Sequence, residues 1–279
     1  MESGLYVVAT PIGNLKDVSP RAVEVLKGAD VVAAEDTRHS QKLLQHLGVD
    51  TPMVAYHDHS DAQATERLVA RVEAGEVVAL VSDAGTPLIS DPGYRLVRAV
   101  QDSGNKVIPI PGACAVIAAL SVCGLPTDRF RFEGFVPAKA GARKRAFENV
   151  ARESATLVFY EAPHRVAASL EEMARVFGED REAVLAREIS KAFETVRRGA
   201  LGELATFVAA DANQQRGEIV LLVAGARRDA IELDDDTAAL LTLLARELPA
   251  KRAAALIAEH TGLRKKDLYD YLLGQKDPG

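Results

Sequence analysis

The chain has few cysteines. Of its 279 residues only Cys114 and Cys123 are cysteine, and both lie in one apolar stretch. Neither has histidine or cysteine neighbours at metal-ligand spacing. A zinc module and a disulfide framework are therefore not expected, and buried free thiols in a reducing compartment are. No apolar run approaches the ~20 residues of a membrane span. Met1-Glu2-Ser3-Gly4 is neither basic nor followed by a cleavable apolar segment, so a soluble cytoplasmic protein is expected. Excess positive charge is absent too. The net charge is −6, so any contact with RNA must come from local basic patches. The loop Thr10-Pro11-Ile12-Gly13-Asn14-Leu15 lacks the Gly-x-Gly-x-x-Gly of dinucleotide folds and the Gly-Lys-Ser/Thr of a phosphate loop, which counts against NAD and nucleoside triphosphates. His57-Asp58-His59 resembles a metal triplet, but nothing at recognisable spacing completes the set. A solvated turn is the expectation there, with no metal.

What is present is regular. The composition is 48% hydrophobic, enough for about two domains of roughly 100–200 residues each. Short apolar runs at 5–9, 30–34, 53–56, 77–81 and 106–110 read as strands. Helical stretches separate them, from Ser19-Pro20 to about Gly28 and over 41–47, 63–73 and 94–103. The run after Pro111-Gly112 gives another, to about Val122. Strand–helix alternation with short links predicts a parallel-rich α/β sheet. In such a sheet the tips at 10–14, 35–38, 82–93 and 111–115 fall on one edge, where open α/β sheets bind ligands. The central tip carries two acid-bearing turns, Ser82-Asp83-Ala84-Gly85 and Ser90-Asp91-Pro92-Gly93. They are either plain Asx turns or acceptors for hydroxyls or a cation.

Pro126, Gly134 and Pro137 interrupt the pattern, so the domain link is expected over 124–137. A second α/β unit follows. Strands are expected over 155–160, 183–189, 193–197 and 218–223, and helices after Arg145, through Val176 and over 202–210. The last part is all helical, with helices over 237–248, 250–260 and 264–273 and a helix–turn–helix look. The domains are thus expected at 1–123, 124–230 and 231–279.

Several charged groups sit at these strand ends. Glu35, Asp36 and Arg38 form either a surface ion pair or a substrate-handling set. Glu161, His164 and Arg165 put a carboxylate, an imidazole and a guanidinium within five positions, a pattern suited to chemistry. Lys191 and Glu194 lie in an exposed hairpin or in a cleft. Lys139, Arg143, Lys144, Arg145 and Arg152, and separately Lys251, Arg252, Arg264, Lys265 and Lys266, form two basic clusters. Each is a solvated helix face or a phosphate-binding patch.

Six stretches together resemble a known family. They are 8–15, Ala34-Glu35-Asp36-Thr37-Arg38, 82–93, Pro111-Gly112-Ala113-Cys114-Ala115, Tyr160-Glu161-Ala162-Pro163-His164-Arg165 and 187–194. In this order they resemble the ribosomal RNA small-subunit methyltransferase I family of the tetrapyrrole methylase superfamily. The resemblance implies a two-domain α/β tetrapyrrole-methylase-like fold with a small C-terminal all-helical tail. It implies S-adenosylmethionine as cofactor, 2′-O-methylation of a cytidine ribose in 16S ribosomal RNA near the decoding centre, and a homodimer. The RNA would be met free or in the assembled small subunit, with no membrane involved. Carried onto this chain, cofactor contacts fall on Ile12, Asp83, Thr86, Cys114, Ala115 and Tyr160. Cys114 stands where relatives often carry serine, and Ser82-Asp83-Ala84 where they often carry Gly-Asp-Pro. Glu35, Asp36, Glu161, His164 and Glu194 are equal candidates for handling the hydroxyl proton, with Arg38 and Lys191 orienting phosphate or stabilising charge. The basic residues Lys139, Arg143, Lys144, Arg145, Lys251, Arg252, Lys265 and Lys266 would hold RNA. Methylation of a tetrapyrrole or a modified protein side chain, or RNA binding without catalysis, are the alternatives.

Overall fold

The structure is a computed structural model that describes residues 1–57, 62–226 and 233–274. The alternation over the first 110 residues yields a sheet of five strands: β1 (Gly4–Val8), β2 (Val31–Ala34), β3 (Met53–Ala55), β4 (Val77–Val81) and β5 (Val107–Ile110). They pair all parallel in the order β3-β2-β4-β1-β5. β4 is central and buried at every position, because alternate side chains serve opposite faces. Val77, Ala79 and Val81 pack with Val25 and Leu26 of α1 (Pro20–Gly28) and Leu44 of α2 (Thr37–Leu47). Val78 and Leu80 pack with Leu68 of α3 (Ala62–Glu73) and Leu96 of α4 (Tyr94–Asp102). Each fully buried Val or Leu contributes about 1.5–3 kcal/mol.

α1 begins where its cap predicts, with the Ser19 hydroxyl accepting from the Ala22 N–H at 3.1 Å. α2 begins four residues before the predicted 41, because Asp36 caps it and accepts from the Arg38 N–H at 2.8 Å. Thr37, His39 and Ser40 are modest helix formers, so propensity alone hid that first turn.

The second sheet is mixed. β6 (Phe130–Phe135), β7 (Thr156–Glu161), β8 (Glu182–Arg187), β9 (Thr195–Ala200) and β10 (Ile219–Val223) lie in the order β6-β7-β10-β8-β9. Only β6–β7 is a parallel pair. The chain from 124 to 137 was expected to be linker, yet it contains β6. Phe130 and Phe132 follow strand register on β7, and the register shifts before Phe135, around Gly134 at φ +71°. The glycine that read as a break marks a bulge.

One face of this sheet packs Leu157, Phe159 and Leu185 on Phe147 of α6 (Ala140–Val150), Leu170 of α7 (Val166–Phe177) and Leu204 of α8 (Leu201–Ala210). The other face packs Val158, Val184 and Val220 on Val116, Ala119 and Leu120 of α5 (Ala115–Val122). The helix that closes the expected first domain therefore covers the second sheet. Residues Met1–Gly225 make one compact unit and Ala226–Gly279 another.

The second unit holds α9 (Asp235–Glu247), α10 (Ala250–Thr261) and α11 (Lys265–Gly274) around Leu241, Ile257 and Leu268. Asp234 caps α9 through the Thr237 N–H at 2.8 Å, and Gly262, at φ +74°, closes α10. Among the described residues no helix is long and apolar enough to cross a membrane.

Candidate functional site

The loops after β1, β4 and β5 are tied together by hydrogen bonds. The Thr10 N–H donates to the Gly85 carbonyl at 2.8 Å and the Gly85 N–H returns to the Thr10 carbonyl at 3.1 Å. The Thr86 hydroxyl donates to the Ala113 carbonyl at 2.9 Å. The β2 loop joins them where the Asp36 N–H donates to Asp83 Oδ1 at 3.1 Å. Gly85 sits at φ +81°, and a Cβ there would lie 3.2 Å from Ile12. Only glycine combines that turn with so close an approach.

These loops and the ends of β7, β8 and β10 enclose a cavity of about 480 Å³. All six residues expected to bind cofactor line it: Ile12, Asp83, Thr86, Cys114, Ala115 and Tyr160. Tyr160 packs its ring 4.9 Å from Phe132 and 5.3 Å from Phe135. Burial, reinforced by nearby acidic groups, pushes its phenol above the ordinary range, so it stays neutral. Ala115 opens α5, whose first-turn N–H groups are suited to an anionic group.

Among the lining residues not expected from the sequence are Phe135, Ile89, Ile189 and Glu218. Phe135 lies on the unexpected strand. Ile89 sits between Leu88 (φ +73°) and Ser90 (φ +65°), and Ile189 between Glu188 (φ +51°) and Ser190 (φ +69°). Among the described residues Leu88, Ser90, Glu188 and Ser190 are the four non-glycine residues with positive φ. Each costs on the order of 1–3 kcal/mol and persists only where surrounding bonds fix it. No sequence signal announces such strain.

The residues expected to act chemically are sorted differently. Glu35 lines the cavity and faces the Asp83 N–H at 3.5 Å. Asp36 is a helix cap paired with Arg38, whose Nε and Nη2 lie 3.2 and 3.0 Å from its oxygens. The Arg38 hydrogen bonds hold its carboxyl down to about 2, too low for a useful base. Arg38 is 89% exposed. Glu161 has a fully enclosed side chain. Its carboxylate accepts from the Ala162 N–H at 2.6 Å, from Arg165 at 3.0 and 3.1 Å, and from the Ser169 hydroxyl. It braces the loop after β7 through these bonds and also lines the cavity. His164 is exposed and does not line the cavity. Glu194 is exposed and accepts from the Ser190 N–H at 2.7 Å, holding the strained turn.

Lys191 bridges Glu188 at 2.8 Å and Glu218 at 2.9 Å. Burial opposes its charge, but the two carboxylates outweigh it and raise its pKa. Its stem lies across Gly13, where a Cβ would collide with it.

Of the basic residues, Lys139, Lys144 and Arg145 are exposed around α6, Lys251 and Arg252 on α10, and Lys265 and Lys266 on α11. Arg143 is corrected. It is 8% exposed on the α6 face shared with Phe147 and Val150, and its Nε has no partner among the described residues. Its position in the 3.6-residue repeat put it inward. His57 is exposed, and His59 lies outside the described residues. Among the described residues no group of histidine, cysteine or carboxylate side chains could hold a metal.

The cavity lining has one sign of charge. It includes Glu35, Asp83, Asp91, Glu161 and Glu218, and among the described residues no lysine, arginine or histidine. A phosphate-bearing ligand would meet like charge there, whereas a cationic one is favoured. S-adenosylmethionine fits this donor set. Its sulfonium and ammonium are cations, its adenine suits the apolar side, and its carboxylate suits the α5 N–H groups.

Comparison with known proteins agrees. Residues 4–205 match the family model of Tetrapyrrole (Corrin/Porphyrin) Methylases, and residues 231–276 match that of the RsmI C-terminal HTH domain. The uroporphyrin-III-C-methyltransferase of Thermus thermophilus shares the fold at 22% identity and a TM-score of 0.57, covering 80% of this chain and 94% of that one. Diphthine synthase does so at 18% and 0.59, covering 79% and 89%. The fold and the site thus define an S-adenosylmethionine-dependent methyltransferase of the tetrapyrrole methylase class. Ribosomal RNA small subunit methyltransferase I of Pseudomonas aeruginosa is 56% identical over 271 residues, 96% of each chain. Its Escherichia coli O157:H7 namesake is 50% identical over 272 residues, covering 98% of this chain and 95% of its own. The chain belongs to the ribosomal RNA small subunit methyltransferase I family.

Proposed function

We propose that this enzyme methylates the 2′-hydroxyl of a cytidine in 16S ribosomal RNA near the decoding centre, in the cytoplasm. The observation that carries the reading is the segregation of charge. The cavity lining is acidic and suits a cationic methyl donor, while exposed basic residues on α6, α10 and α11 suit a polyanion. Lobes 1–123 and 124–230 hold the donor, and the helical part, 231–279, holds RNA through Lys251, Arg252, Lys265 and Lys266. A helix–turn–helix is a common nucleic-acid reader. A homodimer belongs to the same reading. Ile117 and Val122 on α5 and Phe130 and Phe135 on β6 are exposed apolar side chains that a second copy would cover.

The bound cofactor supplies an electrophilic methyl group. The chain supplies alignment, which is worth about 7–11 kcal/mol for well-oriented groups. The paired loops 10–14 and 82–93 fix the donor side, and Ile12, Ile89, Ile189 and Phe135 exclude water. Glu35 takes the hydroxyl proton, because it lines the cavity beside the Asp83 N–H, 3.5 Å from its Oε2. A base of this kind contributes about 10²–10⁴-fold.

The test is ribose-methylation mapping of ribosomal RNA from cells with and without the gene. Loss of one 2′-O-methylcytidine in the small-subunit RNA is expected. An unchanged map, or methyl transfer to a tetrapyrrole or protein side chain instead, would reject the reading. Removing 231–279 should abolish binding to small subunits and leave S-adenosylmethionine affinity intact by calorimetry.

A further inference from the structure

A second groove, of about 220 Å³, lies beside the main cavity. The two share Ile12, Asp83, Ala84 and Glu218. Pro11, Leu15 and Leu43 make its walls apolar, and His39 and Lys191 place an imidazole and an ammonium group along it. Ser40 also lines it. That residue is 3% exposed, and its hydroxyl has no hydrogen-bond partner among the described residues. A buried hydroxyl without a partner needs an explanation, and a ligand group that bonds it is one. The main cavity lining contrasts with this, since it has no cationic side chain among the described residues.

The contrast separates two ligands. A methyl donor and its acceptor must meet across a common wall, and the shared residues form such a wall. An acceptor nucleoside brings an apolar base face, a polar sugar edge and flanking phosphates. The groove offers leucines for the first, hydroxyl and carboxylate groups for the second, and His39 for the third. It has room for a single unstacked residue and not for a paired one. Enzymes acting within RNA commonly take the target out of its stack, and single-stranded residues are read by their faces and edges.

We propose that this groove is the acceptor subsite. It holds one unstacked nucleoside of the substrate RNA, with the ribose toward Ile12 and Asp83, the base along Leu15 and Leu43, and a flanking phosphate near His39. Lys191 is then a positioning residue. Its ion pairs with Glu188 and Glu218 fix the outer wall while its stem closes the groove over Gly13. The assignment rests on the RNA methyltransferase reading above and adds where the target enters.

The test uses the full-length enzyme, labelled S-adenosylmethionine and small subunits from cells that lack the gene. Leu15→Ala and His39→Ala change exposed side chains, and Leu43→Trp fills the groove. Each should lower kcat/KM for subunits by about tenfold or more, chiefly through KM. S-adenosylmethionine affinity by calorimetry should stay within about twofold. Ser40→Ala should raise KM without lowering Tm, which a purely structural hydroxyl would not do. Wild-type kcat/KM in all four folded variants would overturn the groove assignment alone. So would losses matched by equal losses of donor affinity. Failure of the unaltered enzyme to methylate subunits would overturn the underlying reading and the subsite with it.

Discussion

Glu161→Gln separates a brace from a base. The carboxylate accepts from one backbone N–H, two nitrogens of Arg165 and the Ser169 hydroxyl, inside a side-chain environment with no exposure. Glutamine keeps the shape and one acceptor oxygen. It loses the charge, and its amide nitrogen turns a donor toward Arg165 or Ser169. Breaking a buried pair by removing one partner costs about 3–5 kcal/mol. Arg165 retains 21% exposure and can rehydrate in part, which puts the variant near the lower end, at about 3 kcal/mol. For a unit of this size each kcal/mol moves the melting midpoint by roughly 2–4 °C, so a fall of roughly 6–12 °C is expected. The assay is a thermal melt paired with kcat measured well below the lowered midpoint. There kcat should stay within about threefold of wild type, since no proton passes through an enclosed brace. A midpoint within about 2 °C of wild type, with kcat down about 100-fold and the acidic limb of its pH profile displaced, would refute this and restore Glu161 as the base.

Gly85→Ala forces a side chain into φ +81° against Ile12, at a cost on the order of 1–3 kcal/mol. Calorimetry should show donor affinity on the order of tenfold weaker. Lys191→Met should raise the pKa of Glu188. Burial opposes that carboxylate, but Lys191 and the Glu218 N–H hold it below its ordinary value. A depressed carboxylate stabilises the fold above its unfolded pKa and loses that contribution as pH falls through the folded value. The variant should therefore lose less stability than wild type on acidification through that window, followed by chemical denaturation at stepped pH. Arg143→Met should leave subunit affinity unchanged and melt no lower, because it removes a buried charge whose Nε is unpaired. Lys144→Ala with Arg145→Ala should weaken subunit binding and flatten its salt dependence.

Much of the fold was legible because its signals are local. Val77-Val78-Ala79-Leu80-Val81 reads as a strand without tertiary context, Ser19-Pro20 as a helix start and Gly48 as a stop. Of the six positions expected to bind cofactor, Ile12, Asp83, Thr86 and Cys114 lie on loops at strand ends of the first sheet, where parallel topology sends those ends to one edge. Ala115 opens α5 and Tyr160 lies near the end of β7, and all six line one cavity. β6 was missed because its glycine serves a bulge, which looks like a break when the partner strand is unseen. The acidic candidates were equal in the sequence because a carboxylate's role depends on its donors. Asp36 meets Arg38, Glu161 meets Arg165 and Ser169, and Glu194 meets the Ser190 N–H.

The amino-acid order by itself determined the alternation of strands and helices, the loops that carry polar groups and the family to which the chain belongs. These rest on periodicity, capping and motifs that span a few residues. Tertiary structure alone decided that α5 covers the second sheet, that Arg143 points inward and that two strained loops present Ile89 and Ile189 to the cavity. It also decided which of the candidate carboxylates line the cavity, Glu35 and Glu161. Contacts between residues far apart in sequence set burial and hydrogen bonding, and those two quantities turn a residue type into a role.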